Sequence, residues 1–247
     1  MLAALEDSMI ADPSASGHNG RSVRVALVGL GFGAAFVPIY LHHPGVSSLV
    51  VCDPDPAVLA EVADRYEVRE RLASLEAVLE DRSVDAVHLV SPIPVHAQQS
   101  IAVLRAGRHC ACTVPMATSL DDIERILAAR QESGTTYMMM ETALYTREYL
   151  EARRLVDEGV TGRIQLLRGA HYQDMEHWPS YWMGLPPMHY ATHAIAPLLA
   201  ISGTRAERVS CLGSGVMRPE LHAQYGNGYP IETAQLSLVA RVGMHSS

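Results

Sequence analysis

The chain has 247 residues, 48% of them hydrophobic and 19% charged, enough apolar material for one large domain or two modest ones and too much for wholesale disorder. A formal net charge of -8 with no run of Lys or Arg argues against a nucleic-acid partner, because phosphate binding draws on clustered basic side chains. No apolar stretch approaches the roughly 18 residues of a membrane span, and the acidic start MLAALEDSMIADPSASGHNG lacks the basic and apolar blocks of a signal peptide; the sequence predicts a cytoplasmic protein with a small-molecule ligand and no membrane partner.

Residues 1–21 read as a flexible tail. The segment SVRVALVGLGFGAAF then predicts a strand over Val23–Val28, a glycine turn and a helix. Gly29, Gly31 and Ala34 fit the G-x-G-x-x-G/A pattern, in which the first glycine turns the chain, the second admits a pyrophosphate and the small third residue lets the helix pack close. The helix start would offer free N–H groups to the phosphates, although Pro38 should kink that helix. The next strand, SSLVVCD, ends at Asp53, about 20 residues on, where a carboxylate can bond a ribose hydroxyl and disfavour a 2′-phosphate, so NAD is preferred to NADP. The same aspartate also reads as the opening of the DPDP turn before a helix from Pro56.

Strand and helix keep alternating: strand 86–90, helix 95–106 stopped by Gly107, strand 109–114, helix 121–132 opened by Ser119 and Asp122 in a capping-box-like pattern, and strand 136–140. This order predicts a doubly wound parallel sheet, an α/β Rossmann domain over 22–142. Cys110 and Cys112 alternate on one predicted strand and read as buried free thiols. The run YMMMET is a core strand ending at Glu141, most simply a structural residue.

From 143 to 247 the sequence predicts a second, α+β domain on a mostly antiparallel sheet. It comprises a helix over 146–158, a strand in RIQLLRGAHYQ, a helix in PPMHYATHAIAPLLAI kinked or ended by Pro197, and strands 208–212 and 233–240. A helix through 189–193 would put His189 and His193 on one face. Histidine has a pKa suited to proton transfer near neutral pH, so His193 is the candidate base with His189 as its partner, against the plainer reading that both line a polar interface. A pair at i and i+4 also matches zinc-helix spacing, with His171, Glu176 or His177 as third ligand, but the HExxH glutamate is missing and no metal is assigned. The stretch GAHYQDMEHWPSYWMG offers His171, Tyr172, Glu176 and Trp178 as substrate residues, since rings stack on sugar C–H faces while carboxylates bond hydroxyls.

The order GLGFGA, then SPIPVHAQQSIAVLRAGRHCACTVPMA, then a His-bearing helix resembles the Gfo/Idh/MocA family of NAD(P)-dependent oxidoreductases, which act mostly on sugars and polyols. The resemblance runs from Val23 to Arg241. It implies cofactor contacts from Gly29, Gly31, Phe32, Gly33, Ala34, Asp53, Ser91, Pro92, His96 and Pro115, a sugar-like substrate and a homo-oligomer. Two departures stand out. The family's Glu-Lys-Pro is here Thr113, Val114 and Pro115, so the usual acid/base lysine is absent, and the Asp four residues before the family's His is His189, while that His remains as His193. The second domain is also shorter than the family's, which fits a fragment and would leave a strand edge unpaired. Three readings follow: an oxidoreductase with His193 in place of the lysine; a redox-neutral glycoside hydrolase or lyase that retains NAD and oxidises a sugar carbon transiently; and a nucleotide-binding protein without catalysis.

Overall fold

The computed structural model describes residues 22–239. The tail at 1–21 and the end of the chain from Ala240, with the last residue of the strand expected over 233–240, lie outside the described residues. The chain divides between Val87 and His88 into two compact units.

The first unit holds β1 (Val23–Val28), α1 (Val37–His42), β2 (Val46–Cys52), α2 (Pro56–Arg65), β3 (Glu70–Leu72) and α3 (Leu75–Glu80). β1 pairs in parallel with β2, and β2 with β3. The inner residues Ala26, Leu27, Val50 and Val51 are almost wholly buried, as continuous apolar runs covered on both faces should be. Asp55 caps α2 by accepting from the Ala57 and Val58 N–H groups at 2.8 and 3.3 Å, and Ser74 caps α3. Neither β3 nor α3 is among the sequence-predicted elements.

One correction falls on the glycine turn. No long kinked helix follows it. A 3₁₀ turn, Gly33–Phe36, leads into the six-residue α1, whose first turn contains Pro38. Proline lacks an N–H and is tolerated there because the first N–H groups of a helix have no internal partner; the chain therefore breaks the helix before Pro38 rather than bending through it.

The second unit continues with β4 (Ala86–Leu89, beginning at the division), α4 (His96–Arg105), β5 (His109–Thr113), α5 (Leu120–Ser133), β6 (Tyr137–Met140), α6 (Arg147–Asp157), α7 (Thr192–Ser202), β7 (Ala206–Ser214), α8 (Pro219–Tyr225) and β8 (Ile231–Leu238). The sheet order β3-β2-β1-β4-β5-β6 is that of a dinucleotide-binding fold. Cys110 and Cys112 are free and buried; burial pushes both thiols up to about 12, which keeps them protonated and inert. β7 and β8 form an antiparallel pair. Among the described residues no helix is long and apolar enough to cross a membrane.

Three further expectations change. Residues 163–173 alternate in polarity but form no strand, because a strand exists only where a neighbour takes its backbone hydrogen bonds and among the described residues the small sheet contains β7 and β8 alone. The helix expected through 189 and 193 is two pieces, a 3₁₀ turn over Pro187–Tyr190 and α7 from Thr192, so His189 and His193 do not share a helical face. Pro197 lies inside α7 without ending it.

In the first unit Arg24 gathers charge. Its guanidinium donates to Glu70 (3.0 Å to Oε1), Asp81 (3.1 Å) and Ser48 (3.3 Å), while its N–H donates to Asp85. These bonds tie β1 to β3 and to the end of α3. Replacing Arg24 by Met should lower urea-unfolding stability by about 1 kcal/mol, held to that size by the solvent exposure of the acids; a loss that persists unchanged in 1 M salt would contradict an ion-pair origin.

Candidate functional site

In the first unit the glycine turn is built for close approach. Gly29 has φ 91°, a conformation that favours glycine, and a Cβ added at Gly31 would meet no atom within 4 Å. Gly33 is buried at the head of the 3₁₀ turn, and the Ala34 N–H donates to the Leu30 carbonyl at 3.1 Å. Phe32 is 71% exposed, edge-on to Phe36 at 5.7 Å. Asp53, 9% exposed, accepts from the Leu30 N–H at 2.7 Å and from the Asp55 N–H at 2.9 Å. Of the two sequence readings of this residue the structure bears out the turn: Asp53 opens the turn before α2, and it also stitches the end of β2 to the glycine loop. The open space over Gly31, the left-handed Gly29 and the small Ala34 fit a dinucleotide.

The second unit carries the other cofactor candidates. His96, 1% exposed, bridges two carbonyls, Nδ1 to Pro115 O and Nε2 to Ser91 O, each at 2.8 Å. Burial lowers its pKa and outweighs the opposing pull of the two carbonyls. This clamp joins the segment after β4 to the buried Pro115 after β5, across a cis Val114–Pro115 bond. The Ser91 hydroxyl also donates to the Gln99 side-chain oxygen, whereas Pro92 is exposed. Val114, where the family has its lysine, is 7% exposed and brings no ionisable group.

His193, near the start of α7, is held at both ring nitrogens. Nδ1 lies 2.5 Å from Glu141 Oε1 at the end of β6, and Nε2 lies 3.0 Å from the Tyr190 hydroxyl. Glu141 is 3% exposed. Burial is the largest single influence on it and opposes ionisation, yet bonds from His193 and the Ala143 N–H, with the nearby Thr192 hydroxyl, hold its carboxyl below the usual range. The tautomer follows: Nδ1–H donates to an ionised carboxylate, leaving the Nε2 lone pair to accept from Tyr190. Burial, aided by the Glu141 charge, pushes the Tyr190 hydroxyl up to about 12, so it remains a donor across the neutral range.

Rings enclose this line of groups. His171 lies 4.9 Å from the His193 ring and 5.7 Å from Tyr190; Trp182 packs edge-on to Tyr190 at 4.7 Å and to Trp178 at 4.9 Å. The structure therefore brings His171 to His193, while Trp178 reaches the group only through Trp182. It leaves Tyr172 86% exposed and Glu176 exposed, its N–H on Asp174. His189 sits in the turn before α7, its Nδ1 buried without a hydrogen-bond partner, as is Glu141 Oε2. The partners that orient His193 are Glu141 and Tyr190, and the sequence reading had assigned that role to His189. A lone acid closing an apolar strand was the available signal for Glu141; Tyr190 carried none. Among the described residues no three His, Cys, Asp or Glu side chains are grouped to hold a metal ion.

A folded-state pKa below the ordinary 4.5 means that Glu141 adds stability at pH above 4.5, and that this is lost as pH falls through the lowered value. Replacing Glu141 by Gln should cost about 1–2 kcal/mol at pH 7, and the gap from the unsubstituted chain should close below pH 4.5 in urea unfolding. In the first unit, Gly31→Ala should leave stability unchanged or raised by about 0.4–1 kcal/mol while weakening NAD(H) binding at least tenfold in a fluorescence titration, since the added methyl fills the phosphate approach.

Comparison with known proteins agrees with the fold. A glycosyl hydrolase family 109 protein of Bacteroides fragilis is 29% identical over 194 residues, 71% of this chain and 42% of its own length. One of Phocaeicola vulgatus is 26% identical over 232 residues, 83% of this chain and 48% of its own, so the chain spans less than half the length of these relatives. Among solved structures, myo-inositol 2-dehydrogenase from Lactobacillus plantarum superposes with a TM-score of 0.75 at 21% identity, over 88% of this chain and 67% of that one. Scyllo-inositol dehydrogenase from Lactobacillus casei, with bound NAD(H) and scyllo-inositol, gives 0.70 at 21%, over 88% and 66%. Residues 23–141, just under half of the chain, match the model of the Gfo/Idh/MocA oxidoreductase family, NAD-binding Rossmann fold.

Proposed function

We propose that the chain oxidises a hydroxyl-bearing carbon of a sugar or polyol, with the proton leaving through Tyr190 and His193. The observation that carries this reading is the Glu141–His193–Tyr190 line, in which a buried carboxylate held below its usual pKa range accepts the Nδ1–H hydrogen bond of His193 and leaves the Nε2 lone pair facing the Tyr190 hydroxyl. The glycine turn of the first unit, Gly29, Gly31, Gly33 and Ala34 beside Phe32, would hold NAD, which when bound would supply the hydride acceptor; Ser91, Pro92, His96 and Pro115 of the second unit are the other candidate contacts that the family resemblance implies. Asp53 favours NAD over NADP, because its carboxylate meets a 2′-phosphate with like charge.

The protein's own part is proton transfer. The substrate hydroxyl donates to the Tyr190 oxygen as the Tyr190 proton passes to His193 Nε2, so no tyrosinate accumulates at a group whose pKa is about 12. The imidazolium that forms is stabilised by Glu141, as a carboxylate stabilises the histidine of a catalytic triad. His171, Trp178 and Trp182 provide ring faces for sugar C–H groups. This arrangement replaces the lysine that Val114 displaces.

A second reading rests on the likeness to glycosyl hydrolase family 109 proteins. A ketone formed transiently at a sugar carbon would acidify the neighbouring C–H; loss of that proton would expel the glycosidic oxygen as the alcohol, water would add across the enone and return a solvent proton to that carbon, and the ketone would be reduced again, so that NAD would be needed with no net redox change. The two readings share His193 and differ in what accumulates.

The experiment is a panel of polyols, free sugars and aryl glycosides incubated with the NAD-loaded protein. NADH that builds up in proportion to product supports net oxidation; released aglycone without NADH, with solvent deuterium entering the sugar, supports the redox-neutral route. His193→Ala should lower either rate by about 10²–10⁴-fold with NAD binding retained. Full activity in that variant would overturn both readings, and NAD binding with no turnover on any class would leave a binding protein.

A further inference from the structure

The turn that carries Tyr190 has little internal support. It begins Pro186-Pro187, two residues without an N–H, so Met188 supplies its first donor, and the first N–H groups of a helical turn have no partner inside it. That donor is taken from far along the chain: Met188 N–H donates to Glu232 Oε2 at 2.7 Å. Glu232 is the second residue of β8, paired with Gly213 of β7. The alternation along β8 places it on the half-buried side with Ala234, Leu236 and Leu238, an apolar face on which a carboxylate needs a bonded partner.

Other contacts from the connection between β7 and β8 reach the same stretch. The Tyr225 hydroxyl, at the end of α8, donates to the Tyr181 carbonyl. A Cβ on Gly184 would lie 2.3 Å from the Leu221 carbonyl, so α8 meets the chain there backbone to backbone. The lead into β8 is itself fixed, since the Tyr229 ring covers Gly213 closely enough that a Cβ would approach within 2.2 Å, and Asn227 bonds Tyr229 through both its amide atoms at 2.8 and 3.1 Å. Tyr181 and Gly184 flank Trp182, and Met188 lies two residues before Tyr190.

From this convergence we propose that Glu232 is a positioning residue: by anchoring the Met188 N–H it sets the place of the Tyr190 hydroxyl against His193 Nε2. The proposal rests on the proton-transfer reading above and adds to it a remote strand residue that touches neither substrate nor cofactor. Loss of the anchor frees the turn, lengthens the 3.0 Å Tyr190–His193 contact and slows proton transfer, with no direct effect on the glycine loop.

The chain's two tryptophans, Trp178 and Trp182, both belong to the ring cluster around Tyr190, so intrinsic emission of the full chain reads that cluster whether or not a substrate is known. Three variants suffice: Glu232→Ala, which removes the acceptor; Glu232→Gln, which keeps one; and Gln235→Ala, on the exposed side of β8. Glu232→Ala should shift tryptophan emission and raise amide exchange at Met188 at least tenfold, while the His189 amide, bonded to Pro186 O, changes less. On a turned-over substrate it should lower kcat by about 10–100-fold, the scale of a small misplacement, with KM and NAD affinity near those of the unsubstituted chain. Glu232→Gln should recover most of each effect, and Gln235→Ala should show none.

Unchanged emission and unchanged Met188 exchange in folded Glu232→Ala would overturn the proposal. If Glu232→Ala does not fold, Glu232→Gln decides, because a charge-assisted bond weakened to a neutral one must still speed Met188 exchange relative to His189; equal exchange at both would overturn it. If no substrate is turned over by the unsubstituted chain, the proton-transfer reading fails, while emission and exchange still decide whether Glu232 holds the turn.

Discussion

A carboxylate with 3% of its surface exposed cannot remain charged unless donors repay its lost hydration. Glu141 meets this condition by drawing the His193 N–H to 2.5 Å, and the rest of the second unit's chemistry follows from that bond. It joins the end of the last parallel strand to the helix that follows the aromatic stretch. It also decides which ring nitrogen carries the proton. Without it His193 could present either nitrogen to Tyr190, and the direction of the Tyr190 hydrogen bond would be undefined.

The two kinds of machinery are held by different forces. The cofactor turn depends on backbone: a left-handed Gly29, open space over Gly31, and Asp53 accepting N–H bonds from the loop. The proton path depends on side chains brought together from far apart, Glu141 and His193 being 52 residues distant in sequence. Loss of the family's lysine therefore removes one donor and leaves both supports in place. Val114 keeps the strand end apolar and buried, while the proposed proton path runs through α7 and the turn before it.

This difference also explains what could be read from sequence. Five of the six strands of the parallel sheet were legible because each is a short, mostly apolar run between turn residues, and β1 spans the residues expected, Val23–Val28; β3, Glu70–Leu72, was missed because its three residues carry no such run. The glycine turn was legible because its constraints are local. The segment 163–173 was misread because alternation states which side of a strand would face inward and says nothing of whether a neighbour exists to pair with. α8 was passed over within a Gly/Asn/Pro-rich connection although Pro219 in its first turn and Gly226 just past its end are ordinary start and stop signals. Tyr190 could not have been found, since its role is defined by the distance to one other ring, a quantity absent from local pattern.

The nearness of His171 to His193 depends on Gly169. A Cβ at that residue would fall 2.5 Å from the Ala194 carbonyl and 3.3 Å from a Leu198 methyl, so the incoming chain lies directly on the backbone of α7. Spacing set by main chain against main chain does not drift as neighbouring side chains change, and Leu166, 69% exposed just upstream, is free to vary in size and polarity. At Gly169 that freedom vanishes, since a single methyl group would lift the strand of chain and carry the His171 ring away. Sequence divergence around the site is thus expected to be uneven, permissive along most of the segment and closed at one residue whose only contribution is having no side chain.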